Sequence, residues 1–137
     1  MPRSTPSYGI DTSIFVRLLT GHPTKDYEQT LEGLKKLLEK LPDAEFFVSN
    51  QVIGEAYITL QHHYGISKAD AREAMLKVLT GSMIRPLNGE AALTCLRTKT
   101  GCGLLDRLIA QDYAARDAIV LTNDKKMSKL AEAKLLR

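Results

Sequence analysis

The sequence predicts an α/β fold with a mainly parallel central sheet. Short apolar runs alternate along the chain with longer amphipathic segments, and this alternation is typical of strands that pair in parallel through helical crossovers. A chain of 137 residues is long enough for one domain that buries about two thirds of the surface of its unfolded state. The composition, with 44% hydrophobic and 26% charged residues, is that of an ordinary globular protein and argues against a disordered one.

The N-terminal part of the chain is predicted to contain two strands and three helices. We expect a flexible tail over residues 1–7, which contain Pro, Ser and Arg, and one domain over residues 8–137. The first strand is predicted at 8–10 and the first helix at 12–20, before the chain breakers of the Gly-His-Pro-Thr segment.

Residues 26–41 form the most regular helical pattern. Their apolar side chains recur at alternating spacings of four and three residues, which predicts one apolar stripe on an amphipathic helix. The stripe consists of Tyr27, Leu31, Leu34, Leu38 and Leu41. Pro42 ends the helix, and the next strand is predicted at 45–49.

The middle of the chain contains clear helix boundaries. Ser49 or Asn50 is the expected N-cap of the third helix, which Gly65 ends, and Ser67 is the expected N-cap of the fourth, which Gly81 ends. A short strand over 83–87 and a short helix over 90–96 follow.

The C-terminal part is predicted to contain a helix, a strand and a last helix. The first of these helices begins after the Gly-Cys-Gly segment and ends near Asp117. Residues 118–122, "AIVLT", are the clearest candidate for a buried strand, and "NDKKMSKLAEA" from Asn123 onward is predicted to begin the last helix.

Charge and cysteine content limit the possible function classes. The net charge of +3 permits nucleic acid as a partner without requiring it. The two cysteines, Cys95 and Cys102, fit no common zinc spacing and are expected to be reduced thiols. No apolar run approaches the roughly 18 residues of a membrane span, and the N-terminus lacks a signal-peptide core. We therefore expect a cytoplasmic protein without membrane contact.

Four acidic residues occupy positions that a shared site would require. Asp11 directly follows the first strand, and Asp124 follows the strand at 118–122. Glu55 and Asp106 lie in the first turns of helices. The carboxyl ends of parallel strands lie at one edge of a sheet, where α/β proteins place their ligands. The four carboxylates are therefore expected to lie close together.

Each of these acids also has a structural explanation. Asp11 and Asp124 are favoured residues for helix capping, and Asp106 can pair with Arg107 or Lys99. Glu55 is harder to explain in this way, since it lies on an apolar helical face.

Four carboxylates in one place require protonation or a cation. At about 5 Å and an effective dielectric constant near 20, each pair repels by roughly 3 kcal/mol, while a whole domain is stable by only about 5–15 kcal/mol. Oxygen ligands select Mg²⁺ or Mn²⁺. Such a pocket suits phosphodiester hydrolysis, and the auxiliary polar residues are Thr12, Ser13, Thr122 and Asn123.

Four segments of the chain resemble the blocks of a PIN-domain ribonuclease in their order and spacing. They are "IDTSIFVRLLT", "VIGEAYITL", "GLLDRLIAQDYA" and "IVLTNDKKM", and the resemblance is closest to VapC-type toxins of toxin–antitoxin pairs. It implies a three-layer α/β/α fold and an endoribonuclease dependent on Mg²⁺ or Mn²⁺, with RNA as substrate, a small antitoxin as partner and a homodimer as assembly. Asp11, Glu55, Asp106 and Asp124 occupy the catalytic, metal-holding positions of that pattern.

Several alternatives stay open at this point. Either Asn123 or Asp124 faces the site, and the leucine stripe serves core packing, partner contacts or both. The chain could be a catalytically silent PIN-like module that binds RNA or protein. A phosphatase of the haloacid dehalogenase type is disfavoured, because Ser13 stands where that class has a second Asp.

Overall fold

The computed structural model describes residues 6–136 and confirms the α/β class with parallel strands. Within these residues it has six α-helices and five short strands, an arrangement consistent with a PIN-like α/β/α fold. The predicted tail at 1–7 lies mostly outside the described residues, and the first strand begins at Ser7. In chain order the elements are β1 (Ser7–Gly9), α1 (Thr12–Thr20), α2 (Thr24–Lys40), β2 (Glu45–Val48), α3 (Asn50–His62), α4 (Lys68–Gly81), β3 (Ile84–Pro86), α5 (Glu90–Arg97), α6 (Leu104–Ala114), β4 (Val120–Thr122) and β5 (Ala133–Leu135), with a single 3₁₀ turn at Met127–Lys129.

The strands are divided between two parallel sheets. β2 is the central strand of the first sheet, in which Phe46 pairs with Tyr8 of β1 and with Ile84 of β3. β4 and β5 form the second sheet, with Val120 opposite Ala133. The parallel pairing is as predicted, but the strands form two sheets where the pattern predicted one central sheet.

The main core lies where α1, α3, α4, α5 and the start of α6 cover the first sheet. β2 contributes Phe46 and Val48, which are both buried. Glu45, the first residue of the strand, is exposed. The other large side chains that are almost completely buried are Phe15, Ile53, Leu60, Met75, Leu96 and Leu104. The alternation along β2 and the helical spacing along α3 thus bury the residues that those patterns predict.

Several helices begin and end where their capping residues predict. Ser49 is the N-cap of α3 and accepts a hydrogen bond from the Val52 amide, and Ser67 caps α4 in the same way. At the end of α1, Gly21 adopts a left-handed conformation with φ of 68°, which costs glycine little.

The predicted last helix is wrong. After β4 the chain makes only the 3₁₀ turn, with Met127 buried, and then enters β5. β5 pairs with β4 over its three residues. The backbone groups of β4 therefore gain hydrogen-bond partners from this segment, and that tertiary pairing overrides the helical propensity of "KLAEA".

The interpretation of 118–122 as the clearest buried strand is also wrong. Val120 is buried, but Ile119 and Leu121 are 64% and 61% exposed. The second sheet has one covered face, on which Val120 packs with Ala110 and Met127. Because residues 118–121 are all apolar, the sequence shows no alternation that would indicate which face of the strand is exposed to solvent.

α2 contributes little to the core. None of its residues is buried, although Leu34, Leu37 and Leu38 pack partly against the core. Leu31 remains exposed and lines an apolar groove between α2 and α4, beside Met83. The leucine stripe therefore packs against the core through Leu34 and Leu38, while Leu31 stays exposed.

Cys95 and Cys102 are both free and buried, and burial raises the pKa of the Cys95 thiol.

Among the helices of residues 6–136, none has the length and apolarity needed to cross a membrane.

Candidate functional site

Asp11 lies just beyond the carboxyl end of β1 and caps α1. Its Oδ1 accepts hydrogen bonds from the Ile14 amide at 3.1 Å and from the Ser13 hydroxyl at 2.8 Å. These bonds favour the charged form and lower the pKa of the carboxyl group below its ordinary value. The capping role is thus confirmed, and it keeps an ionised carboxylate at this edge of the sheet.

Glu55 is brought to the same place by Thr12. The Thr12 hydroxyl donates a hydrogen bond of 2.6 Å to Glu55 Oε1, across 43 residues of sequence. α3 starts directly after β2, the neighbour of β1 in the sheet, so both helices begin at the same edge. The structure therefore brings Asp11 and Glu55 into one neighbourhood, which we call the Asp11–Glu55 pair.

A small cleft of about 290 Å³ lies between α3 and α6 and is lined by Glu55 and Asp112. Asn50, only 4% exposed, donates from Nδ2 to Asp112 Oδ1 at 2.8 Å and to Gln111 Oε1 at 2.7 Å. Asn88 donates to the same two acceptors. The Asn50 Oδ1 atom is buried and has no hydrogen-bond partner in the described chain.

Asp112 lines the cleft of Glu55, although the sequence pattern did not single it out. It lies in the quoted block "GLLDRLIAQDYA", six residues after Asp106, and α6 directs it rather than Asp106 into the cleft of Glu55. The sequence shows only that the block contains a second aspartate. Whether that aspartate faces α3 depends on how α3 and α6 pack against each other.

Asp106 lies in a different, larger cleft of about 800 Å³. It is half-buried, and the expected pairing with Arg107 or Lys99 does not occur: the ion pairs within residues 6–136 are Arg17–Asp26 and Arg97–Glu90. Arg107 instead donates to the carbonyl of Thr100.

Asp124 accepts backbone hydrogen bonds in the turn that leads into the 3₁₀ segment Met127–Lys129. Its Oδ1 accepts from the amides of Lys126 at 2.8 Å and Met127 at 3.2 Å, and its own amide donates to Thr122 Oγ1 at 3.0 Å. Asn123 is exposed beside it. The predicted capping of a last helix by Asp124 is therefore wrong, because no such helix forms, although the carboxylate does bind two backbone amides of the turn.

The four acids do not form one cluster. Within residues 6–136, no three Asp, Glu, His or Cys side chains are placed to hold a metal ion. The cleft of Glu55 and the cleft of Asp106 are neighbours that share Ile58 and Leu105 in their walls. The Asp11–Glu55 pair offers the oxygen donors that Mg²⁺ and Mn²⁺ prefer, but as a set of four the carboxylates do not fit one metal ion in this arrangement.

The cap at Asp11 predicts a pH-dependent stability difference. Replacing Asp11 with Ala removes the side-chain acceptor and should lower the free energy of unfolding at pH 7 by about 1 kcal/mol. Because the pKa is lowered from its ordinary 3.8, this contribution is present above about pH 4 and is lost as the pH falls through the lowered value. Urea unfolding at several pH values measures the difference.

The matched control is Ser49→Ala, which removes a cap that does not titrate. Its destabilisation should stay constant over the same pH range. Equal stability of wild type and Asp11→Ala at pH 7 would contradict the prediction.

A family model described as "PIN domain" matches residues 8–133, which is nearly the whole chain, and the PIN domain is generally a nuclease fold. No curated protein matches the chain. The parallel α/β architecture, the acids that follow β1 and β4, and the match over 8–133 agree with one another, and the chain belongs to the PIN domain family.

Proposed function

We propose that the protein is a metal-dependent endoribonuclease that hydrolyses RNA phosphodiester bonds and acts as the toxin of a toxin–antitoxin pair. The observation that carries this proposal is the Asp11–Glu55 pair, two carboxylates from distant parts of a PIN domain that share one neighbourhood at the carboxyl edge of the first sheet. The proposed site residues are Asp11, Glu55, Asp106 and Asp124.

Each residue of the pair has a defined task in this proposal. Asp11 is held in place by its cap hydrogen bonds, which also favour its ionised form and lower its pKa. Thr12 orients Glu55, leaving Glu55 Oε2 for a ligand, and Ser13 fixes Asp11. Asp11 and Glu55 would hold an Mg²⁺ or Mn²⁺ ion, which would activate water and stabilise the leaving oxygen.

A four-carboxylate centre requires Asp106 and Asp124 to move toward the pair. Asp106 is on the first turn of α6, and Asp124 is at the 3₁₀ turn, so the movement involves α6 and the segment that follows β4. Thr122 and Asn123 would move with Asp124. Binding of a cation offsets the repulsion of roughly 3 kcal/mol per pair that opposes this approach.

The toxin assignment adds two partners and a location. A small antitoxin protein and a second copy of the chain are the proposed partners, in the cytoplasm. The exposed side of α2, with Leu31 beside Met83, supports protein contact because these apolar side chains border a groove of about 520 Å³.

The experiment is cleavage of single-stranded RNA by the purified chain. We expect cleavage with Mn²⁺, its complete loss on adding excess chelator, and its return when Mn²⁺ is added in excess of the chelator. The assay is repeated on total cellular RNA with mapping of fragment ends. Cleavage that continues undiminished in chelator would contradict metal dependence.

A second candidate function has its own supporting observation. Asp11 caps α1, Asp124 binds backbone amides of a turn, and no three acids of the described chain are grouped for a metal. A catalytically silent PIN-like module that binds RNA or protein would have these properties. RNA binding without any cleavage over a series of Mn²⁺ and Mg²⁺ concentrations would favour this candidate.

A further inference from the structure

The cleft that contains Asp106 has a strongly positive lining. Four cations border its volume of about 800 Å³, and Asp106 is its one carboxylate among the described residues. The cations are Lys68, Arg72, Lys99 and Lys126, and we call this the basic cleft. The whole chain has a net charge of only +3, from 19 Lys and Arg against 16 Asp and Glu, so this region concentrates positive charge.

The charges of the basic cleft are not neutralised within the described chain. The two ion pairs of residues 6–136 lie elsewhere, at Arg17–Asp26 and Arg97–Glu90. Arg72 is 7% exposed and donates from Nη1 to three carbonyl oxygens, which are neutral acceptors. Lys68 is the first residue of α4, where a positive charge is unfavourable because it faces the positive end of the helix dipole. Unpaired cations facing one cavity favour an anionic ligand.

The positive surface continues past the basic cleft. A second cleft of about 440 Å³ shares Gly101, Cys102 and Lys126 with it and adds Arg107 and Lys129. The Arg107 Nε atom is buried and has no hydrogen-bond partner among the described residues. Cations spread over two adjoining clefts suit an extended ligand with several negative charges better than one small anion.

The basic cleft adjoins the cleft that contains Glu55 of the Asp11–Glu55 pair. Its wall residues Ile58 and Leu105 also line the cleft of Glu55, and both side chains are partly exposed. A chain of phosphates bound along the cations would therefore extend toward the proposed catalytic carboxylates, with its bases able to contact the apolar wall. Only unpaired bases are free to make such contacts, which favours a single strand.

We infer that the basic cleft binds the phosphate backbone of single-stranded RNA, with Lys68, Lys99 and Lys126 as direct phosphate contacts. This inference rests on the proposed function, because it takes the ligand to be the substrate of the Asp11–Glu55 pair. An acidic protein segment would be bound by charge as well, but it has no bases to contact the apolar wall formed by Ile58 and Leu105.

The test measures binding separately from cleavage. A fluorescently labelled single-stranded RNA of about 12 nucleotides is titrated with the full chain in excess chelator, and anisotropy is followed over a range of salt concentrations. The test variant is Lys68→Ala/Lys99→Ala, since both side chains are exposed and make no hydrogen bond or ion pair in residues 6–136. The matched control is Lys36→Ala/Lys40→Ala on α2, which removes the same charge from an exposed surface away from the cleft.

The test variant should bind the RNA more weakly by a factor on the order of ten at 50 mM salt. Its plot of log K against log salt should be less steep by up to about 1.4, because each lost phosphate contact on a single strand removes about 0.7 from the slope. The control should lose little affinity. Thermal unfolding followed by circular dichroism verifies that both variants fold like wild type.

The remaining outcomes separate this inference from the proposed function. Equal losses in test and control variants, or unchanged binding in the test variant, would overturn the basic cleft as the RNA site. The same holds if a polyglutamate peptide binds and depends on Lys68 and Lys99 while RNA does not. If the chain binds RNA through the basic cleft but never cleaves it, the inference holds and the nuclease proposal fails. If all variants cleave RNA equally fast, the nuclease proposal holds and the inference fails.

Discussion

Replacing Asp11 with Asn, or Glu55 with Gln, should lower the rate of RNA cleavage by about 100-fold or more. Each change removes a negative charge from the proposed metal-holding pair, and metal-assisted stabilisation of a phosphoryl transition state is worth several kcal/mol. Both replacements preserve shape. Asn is itself a favoured N-cap, and Gln retains an oxygen that can accept the hydrogen bond from Thr12. The free energy of unfolding should therefore change little.

Initial cleavage rates at saturating Mn²⁺, measured beside urea unfolding, check this prediction. The double variant should be hardly slower than the poorer single variant, because residues that act as one unit are not additive. Glu39→Gln, an exposed carboxylate on α2, is the control and should cleave like wild type. Full activity in either single variant would remove the pair from the catalytic machinery.

Replacing Arg72 with Met should lower the free energy of unfolding by about 3 kcal/mol or more. Nη1 of Arg72 donates to the carbonyls of Cys95 at 3.1 Å, Leu96 at 3.1 Å and Thr98 at 2.8 Å, which closes the C-terminal end of α5. Met fills the space but cannot donate, and each buried acceptor left without a partner costs about 1–3 kcal/mol, with incomplete additivity.

The midpoint and slope of urea unfolding measure this loss. Arg97→Met is the matched control at the same end of α5. Its ion pair with Glu90 spans 2.7 Å but is exposed on both sides, so its removal should cost less than about 1 kcal/mol. Similar losses in the two variants would show that the buried hydrogen bonds of Arg72 contribute no more than a surface ion pair.

Much of the fold could be predicted because its signals are local. Ser49, Ser67 and Gly21 mark helix ends through hydrogen bonds and backbone conformations that involve only neighbouring residues. The segment after Asp124 was predicted wrongly for the opposite reason. Whether it forms a helix or a strand depends on β4 needing a hydrogen-bonding partner, and that need cannot be read from the segment itself.

The same distinction applies to the candidate site. The neighbourhood of Asp11 and Glu55 follows from strand ends at one edge of a parallel sheet, which the pattern of strands and helices indicates. The surroundings of Asp106 and Asp112 depend instead on how closely α6 approaches α3. An added Cβ on Gly54 would lie 2.8 Å from Leu105 Cδ2, and sequence periodicity carries no information about an approach of that kind.

The protection of both thiols makes the chain suitable for spectroscopic labelling. Maleimide reagents require an accessible thiolate, whereas Cys95 and Cys102 are buried and the raised pKa of Cys95 keeps it protonated. Two cysteines introduced at exposed positions on α3 and α6 would therefore take up donor and acceptor dyes without prior removal of the native ones. Energy transfer between the dyes would then report any change in the separation of α3 and α6, which already pack together, when Mn²⁺ and RNA are added.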